Sequence, residues 1–220
     1  MRIVALLLVV LVIVLAIVSP KEEPDPRVEA APLSVYQRVC QQCHGVTGEG
    51  NPTLKTPSIA GQPAWYVSAQ LEKFRNGQRG TDAKDTYGQQ MREIALSLSE
   101  AEPEEATKTV AGFPQHPTQP TFEGDLARGK IIYDEQCIDC HRYNGSGERV
   151  FGSSPLTTFQ DWYLAEQLEK FRQGIRGYHP EDEKGQQMRH LISYLAESDC
   201  RDVAAYIASL AKRYPPSKRR

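Results

Sequence analysis

The sequence lacks an excess of charge of either sign, a recognisable catalytic constellation and, beyond its first residues, any long hydrophobic run. With a formal net charge of −2 over 220 residues, the chain has no charge excess with which to bind nucleic acid. No grouping of serine, cysteine or carboxylate residues predicts an active site. Charged residues make up 25% and hydrophobic residues 40% of the chain, which is typical of a globular protein with one or two domains.

The one long hydrophobic run is IVALLLVVLVIVLAIV, residues 3–18. Its length is at the upper end for the core of a signal peptide and just short of a usual membrane span. Signal peptidases cut after small residues, but Ile17 and Val18 stand where such residues would be needed. We therefore expect residues 1–19 to form an uncleaved hydrophobic helix that anchors the protein, with a cleaved, soluble form as the alternative. Because Arg2 precedes the run, the positive-inside tendency predicts that the rest of the chain is exported.

An internal repeat organises the remainder of the chain. LEKFRNGQRG at residues 71–80 and LEKFRQGIRG at residues 168–177 agree at eight of ten positions and are offset by 97 residues. The same offset relates CQQCH at residues 40–44 to CIDCH at residues 137–141. The repeat predicts a duplicated domain.

The repeat and the prolines together divide the chain into segments. Residues 20–31 are rich in proline and charge and are expected to form an extended tether. Residues 114–120 (PQHPTQP) contain three prolines and form a linker, because proline cannot continue a helix. The predicted domains are residues 32–113 and residues 121–214, followed by a basic tail at residues 215–220.

Hydrophobic periodicity predicts helices and no convincing strands, so the expected fold class is all-α. A helix is predicted after each cysteine motif, with a buried face formed by Val67, Leu71 and Phe74 and by their counterparts Leu164, Leu168 and Phe171. A helix leading into each motif is predicted from Leu33, Tyr36 and Val39, and from Leu126, Ile132 and Tyr133.

SEAE at residues 99–102 predicts a capping box that opens the last helix of the first half. The last helix of the second half is predicted to bury Val203, Tyr206, Ile207 and Leu210.

Four of the five cysteines lie in two C-x-x-C-H motifs, formed by Cys40, Cys43 and His44 and by Cys137, Cys140 and His141. In an exported chain this spacing predicts c-type haem attachment. Two thiols one helical turn apart can add to the two vinyl groups of one porphyrin, and the adjoining histidine then lies beneath the ring. One motif alone would also suit a structural disulfide, a redox dithiol or half of a zinc site, and a zinc site drawing cysteines from both halves is a further alternative. Two copies at one offset favour two covalently bound haem c groups.

Apart from the initiator, the chain has two methionines, Met91 and Met188, and both stand in the tetrapeptide GQQM. Each follows the motif histidine of its own half, His44 or His141, by 47 residues. Histidine and a thioether on opposite faces of iron raise the reduction potential of a haem. The alternative is that both methionines are core residues of a duplicated gene. Ligation by both would leave no open coordination position, which predicts an electron carrier rather than an enzyme.

These residues resemble the tandem di-haem cytochromes c of the cytochrome c4 type. The resemblance rests on the two C-x-x-C-H motifs, on AGQPAWYVSAQLEKFRNGQRG at residues 60–80, and on a methionine before each terminal helix. It extends from residue 32 to about residue 210. It implies two cytochrome c domains packed with their haems close together. It also implies thioether bonds at Cys40, Cys43, Cys137 and Cys140, proximal ligands His44 and His141, and distal ligands Met91 and Met188.

The resemblance also implies a function. A cytochrome c4 carries electrons between respiratory complexes, here from a quinol-oxidising cytochrome bc-type complex to a haem–copper terminal oxidase. The expected place is the periplasmic face of the bacterial inner membrane, with residues 3–18 in the membrane. The alternatives are a cytochrome subunit of a periplasmic dehydrogenase or of a respiratory supercomplex, and a di-haem peroxidase or thiosulfate-oxidising enzyme. The two matched methionines argue against the enzymes.

One departure from the family pattern distinguishes the two halves. Cytochromes c commonly pair a glycine in the first helix with an aromatic residue in the last, which lets the two helices cross closely. Gly129 and Tyr206 fit this pattern, but the equivalent positions of the first half are Pro32 and Thr109. We therefore predict a looser helix crossing and a less stable first domain.

For several other residues the sequence allows two interpretations. Cys200 is expected to be a small residue at the start of the last helix rather than a replacement ligand or a partner for another chain. His190 is an alternative ligand close to Met188, although a surface position is expected for it and for His179, and His116 is expected to be solvated. Arg79 and Arg176 either approach haem propionates or lie in solvent.

Overall fold

The computed structural model describes residues 32–116 and 119–215. The predicted anchor at residues 1–19, the tether at residues 20–31 and nearly all of the basic tail lie outside the described residues. Within the described part of the chain, no helix has both the length and the apolar character needed to cross a membrane.

The first half contains four α-helices. A π-helical turn, Tyr36–Cys40, runs directly into α1, Gln41–His44. The remaining helices are α2 at Ala64–Arg75, α3 at Thr86–Ser97 and α4 at Glu102–Gly112.

The second half repeats this order with longer outer helices. Its elements are α5 at Leu126–Ile132, a π-helical turn at Tyr133–Cys137, α6 at Ile138–His141, a 3₁₀ turn at Arg149–Phe151, α7 at Asp161–Arg172, α8 at Glu183–Ile192 and α9 at Glu197–Arg213. The described residues contain two isolated bridges, Asn51–Thr56 and Glu148–Ser153, and no strand. The all-α prediction is confirmed.

The repeated segment forms the helices that the sequence predicts. Pro63 is the N-cap residue of α2. Leu71 and Phe74 are buried on the inner face of this helix. Beyond α2 and α7 the chain turns at Gly77 and Gly174, with φ of 74° and 73°. Because side chains are strained at such angles, glycine ends both helices.

One detail of the predicted helices is wrong. Ser99 does not cap the last helix of the first half: α4 begins at Glu102, and the Glu102 carboxylate accepts a hydrogen bond from the Ser99 backbone nitrogen at 2.7 Å. Of the predicted capping box, the bond to the Glu102 carboxylate is therefore formed. Leu33 and Leu126, two of the residues from which the leading helices are predicted, are both exposed.

The helix crossing of the second half is close. A Cβ atom added at Gly129 would lie 2.1 Å from the Asp202 carbonyl oxygen and 2.9 Å from the Cβ of Tyr206. Only glycine lets α5 approach α9 in this way. The segment of the first half equivalent to α5 is residues 29–35, of which residues 29–31 lie outside the described part of the chain.

Candidate haem sites

Each half encloses a cavity next to its cysteine motif. The cavity of the first half has a volume of about 180 Å³, and that of the second about 360 Å³. The first is lined by the predicted site residues Cys40, Cys43, His44 and Met91, and the second by Cys137, Cys140, His141 and Met188. The fold therefore brings together the four residues that the sequence singled out in each half.

Local structure places the cysteines and the histidine. The π-helical turn that precedes α1 and α6 ends at Cys40 and Cys137, and the histidine is the last residue of the following short helix. All five cysteines are free, so the motifs hold no disulfide. Burial raises the pKa of the Cys40 thiol to about 11 and that of Cys137 to about 12.

In both histidine rings, Nδ1 faces a backbone carbonyl group. Nδ1 of His44 lies 2.9 Å from the Pro57 carbonyl oxygen, which fixes the proton on Nδ1 and leaves Nε2 with a free lone pair. The equivalent carbonyl, that of Ser154, faces His141, but Nδ1 of His141 makes no full hydrogen bond. Burial lowers the pKa of both rings, that of His141 to about 4. Both rings are thus neutral and able to bind a metal.

The methionines lie on α3 and α8, each capped by an aspartate. Oδ1 of Asp85 accepts a hydrogen bond from the Gly88 nitrogen at 3.0 Å, and Oδ1 of Asp182 accepts one from the Gly185 nitrogen at 2.9 Å. A Cβ atom on Gly88 would come within 2.0 Å of the Asp85 carboxylate. Sequence reasoning did not assign a role to this glycine. The available signal was an aspartate three residues before it in both repeats, DTYG and DEKG.

The two cavities lie on either side of one contact between the halves. Five residues line both cavities: Tyr66, Gln70, Phe159, Tyr163 and Gln167. These residues belong to α2 and α7 or directly precede α7, and so the repeated helices form a shared wall. This arrangement agrees with the expectation that the two haems are close together.

Arg79 and Arg176 occupy this wall. Arg79 donates hydrogen bonds to the side-chain oxygens of Gln70, Tyr163 and Gln167 at 2.9–3.0 Å, and Arg176 donates to Gln167 and Gln70 at 2.9 and 3.1 Å. Arg79 is only 8% exposed, so the alternative that it lies in solvent is wrong. Nε of Arg79 is buried without a hydrogen-bond partner. Two cations beside the cavities, held by uncharged acceptors, fit a cofactor that carries carboxylates.

The residues present therefore fit a covalently bound haem. Each cavity has a mainly apolar lining, two thiols, an imidazole and a thioether. Among the described residues, no group of three histidine, cysteine, aspartate or glutamate side chains is arranged to hold a metal ion. Cys200 is buried in the core of the second half, as expected of a small core residue. His116 and His190 are exposed, and His190 also borders the second cavity.

Comparison with known proteins agrees with this site. The cytochrome c family model matches residues 33–111 and residues 126–211. The thiosulfate dehydrogenase electron acceptor of Stutzerimonas stutzeri (strain A1501) is 27% identical over 79% of this chain and 80% of its own length. Cytochrome c4 of Azotobacter vinelandii is 26% identical over 78% of this chain and 84% of its own length. The cbb3-type cytochrome c oxidase subunit FixP of Sinorhizobium medicae (strain WSM419) is 26% identical over 58% of this chain and 43% of its own length.

A solved structure has the same fold. The cytochrome c4 of Acidithiobacillus ferrooxidans superposes with a TM-score of 0.64 at 24% identity, covering 79% of this chain and 99% of that one. Two cytochrome c domains imply covalently bound haem c. The chain belongs to the cytochrome c family, and it is a di-haem electron carrier of the cytochrome c4 type rather than an enzyme.

Proposed function

We propose that each half holds one haem c with its own four residues. Cys40 and Cys43, and Cys137 and Cys140, form the thioether bonds. His44 and His141 would bind the iron through Nε2, and Met91 and Met188 would supply its second protein ligand. The convergence of these residues on one cavity per half supports the assignment. The haem supplies one-electron redox chemistry.

With two protein ligands on each iron, the protein would be suited to electron transfer rather than to catalysis. Two protein ligands per iron would leave no open position on the metal for oxygen or peroxide. The shared wall of α2 and α7 keeps the two sites adjacent, so that an electron entering one half passes to the other within the same molecule. The observation that carries this proposal is the set of five residues that line both cavities.

The partners we propose are a quinol-oxidising cytochrome bc-type complex as donor and a haem–copper terminal oxidase as acceptor. The similarity to an oxidase subunit supports an oxidase as acceptor. The similarity to a thiosulfate dehydrogenase electron acceptor, over a larger share of the chain, favours a second candidate, in which a periplasmic dehydrogenase is the donor.

We place the protein at the periplasmic face of the inner membrane, anchored through residues 3–18. The uncharged run and the absence of small residues at its end support an anchor over a cleaved signal. The mass of the mature protein tests this. A chain that retains its first residues and fractionates with membranes supports the anchor, and a shortened chain in the soluble periplasmic fraction contradicts it.

Stopped-flow spectroscopy separates the two candidate partners. The reduced holoprotein is mixed with membranes containing a cbb3-type oxidase, and the oxidised holoprotein with thiosulfate dehydrogenase and thiosulfate. Rapid oxidation by the membranes, blocked by cyanide, supports the oxidase route. Reduction in the second mixture supports the dehydrogenase route. A protein that exchanges electrons in neither mixture contradicts both routes.

A further inference from the structure

The two halves are joined by a reciprocal pair of ion pairs. Nζ of Lys170 in the second half lies 2.8 Å from Oδ1 of Asp85 in the first. Nζ of Lys73 in the first half lies 2.6 Å from Oδ1 of Asp182 in the second. The two lysines are equivalent under the 97-residue offset, and so are the two aspartates. The same contact is therefore made twice, once in each direction.

Each of these aspartates is also the N-cap of a helix that carries a methionine. Oδ1 of Asp85 accepts from both Lys170 and the Gly88 nitrogen, which lies in the first turn of α3. Oδ1 of Asp182 likewise accepts from both Lys73 and the Gly185 nitrogen at the start of α8. Met91 and Met188 follow these glycines by three residues, about one turn along the same helix. One oxygen atom thus links a lysine of one half to the methionine helix of the other.

Because these ion pairs are buried, the loss of either partner is costly. The side chain of Asp85 is 4% exposed and that of Lys170 is 12% exposed. Removing one partner of a buried pair leaves the other charge uncompensated, which costs far more than breaking an exposed pair. Without its lysine, the buried aspartate carboxylate would be more stable in contact with water. A movement of the carboxylate towards water would weaken its hydrogen bond to the first turn of the helix.

We propose that Lys170 and Lys73 are positioning residues that act across the domain boundary. Lys170 sets the strength of the contact between Met91 and iron in the first half, and Lys73 sets that of Met188 in the second. The docking of the two halves therefore tunes the distal ligand of each haem. This inference rests on the proposed ligation by Met91 and Met188.

The two links are not identical. Nζ of Lys170 also lies 2.5 Å from the Glu166 carboxylate, whereas the residue equivalent to Glu166 in the first half is Ala69. Lys170 therefore shares its charge between two carboxylates.

The test uses the full-length holoprotein labelled with ¹³C in the methionine methyl groups. Besides the initiator the chain has only Met91 and Met188, so each haem contributes one methyl signal shifted by the iron. The M91L and M188L variants assign these signals. Imidazole, which competes with methionine for the iron, is then titrated into K170Q, K73Q and the matched control K108Q. Lys108 pairs with Glu104 at 2.6 Å on the exposed surface of α4.

K170Q should shift the Met91 signal and tighten imidazole binding at the first haem about fivefold, the change expected from losing about 1 kcal/mol at an N-cap. The Met188 signal should stay unchanged. K73Q should give the reverse pattern, and K108Q should match the wild type. D85N, which keeps an oxygen for the Gly88 nitrogen but loses the charge, should resemble K170Q and serves if K170Q is unstable.

Three results would overturn the inference. K170Q and D85N could both leave the Met91 signal and imidazole affinity unchanged, or K170Q could act on Met188 in its own half. A wild type without iron-shifted methionine signals would overturn the proposed ligation as well. The first two results leave that ligation intact, so the two failures are distinguishable.

Discussion

The two halves contain the same four types of site residue, but they differ in the size of the buried core and in the length of the last helix. The core of the second half contains 14 buried residues in one cluster, and that of the first contains six. The last helix of the second half, α9, has 17 residues and crosses α5 at Gly129, whereas α4 of the first half has 11 residues.

This difference shows which parts of the fold the site requires. The cysteine motif, the helix after it and the capped methionine helix are common to both halves, and so they suffice to position the site. Among the described residues, the close crossing of the outer helices is seen in the second half. It contributes packing to that half, and the first half must obtain its stability from other sources, including the bound haem and the contact with the second half.

The largest effect is expected when haem attachment is removed from each half in turn. C40A/C43A and C137A/C140A should each bind one haem instead of two. Without its haem the first half should lose its protection against hydrogen exchange, because its buried hydrophobic cluster of six residues is small. The second half should retain partial protection on its 14-residue core. Mass spectrometry gives the haem count and fragment-resolved exchange gives the protection. Equal loss of protection in both halves would contradict the comparison.

The crossing at Gly129 can be broken directly. G129A should destabilise the second half by about 2–4 kcal/mol, because its new Cβ would lie 2.1 Å from a backbone oxygen. G112A is the control, since a Cβ there has no atom within 4 Å. Denaturant unfolding of both variants measures the change. If G129A unfolds at the same denaturant concentration as G112A, the close crossing does not stabilise the second half.

In the unmodified holoprotein, the first half should exchange its amide hydrogens faster. Protection follows the density of buried contacts, which is lower in the first half. The amides of α4 should therefore exchange before those of α9. A first half that is better protected than the second would refute the predicted difference in stability.

A smaller effect is expected in acid at the start of α4. Hydrogen bonds from the Ser99 backbone and from Arg38 lower the pKa of Glu102 to about 2, from an unperturbed value of 4.5. The stabilisation is therefore complete above pH 4.5 and is lost as the pH falls towards 2. E102Q should unfold with less dependence on pH across this range than the wild type. The same slope in both proteins would show that Glu102 is not the group responsible.

The sequence predicted local and repeated features well. The 97-residue offset identified two domains, and the apolar spacing of Leu71 and Phe74 predicted a buried helical face. The 47-residue interval relates each motif histidine to a methionine that lines the same cavity. These features are local or repeated, so one chain contains enough information to find them.

The features that were missed depend on tertiary contact. Nothing in the neighbourhood of Lys170 indicates that its partner is Asp85 in the other half, because an ion pair across a domain boundary leaves no spacing pattern. Arg79 was given a solvated alternative for the same reason, since its acceptors lie mainly on α7 of the other half.

Each half is proposed to bind one haem between its histidine and its methionine. A haem count together with the visible and near-infrared spectrum of the oxidised wild type, M91L and M188L tests this ligation. We expect two low-spin haems with the weak long-wavelength band of methionine bound to ferric iron, and loss of about half of that band in each variant. One haem per chain, a high-spin wild type, or a band that neither variant reduces would contradict it.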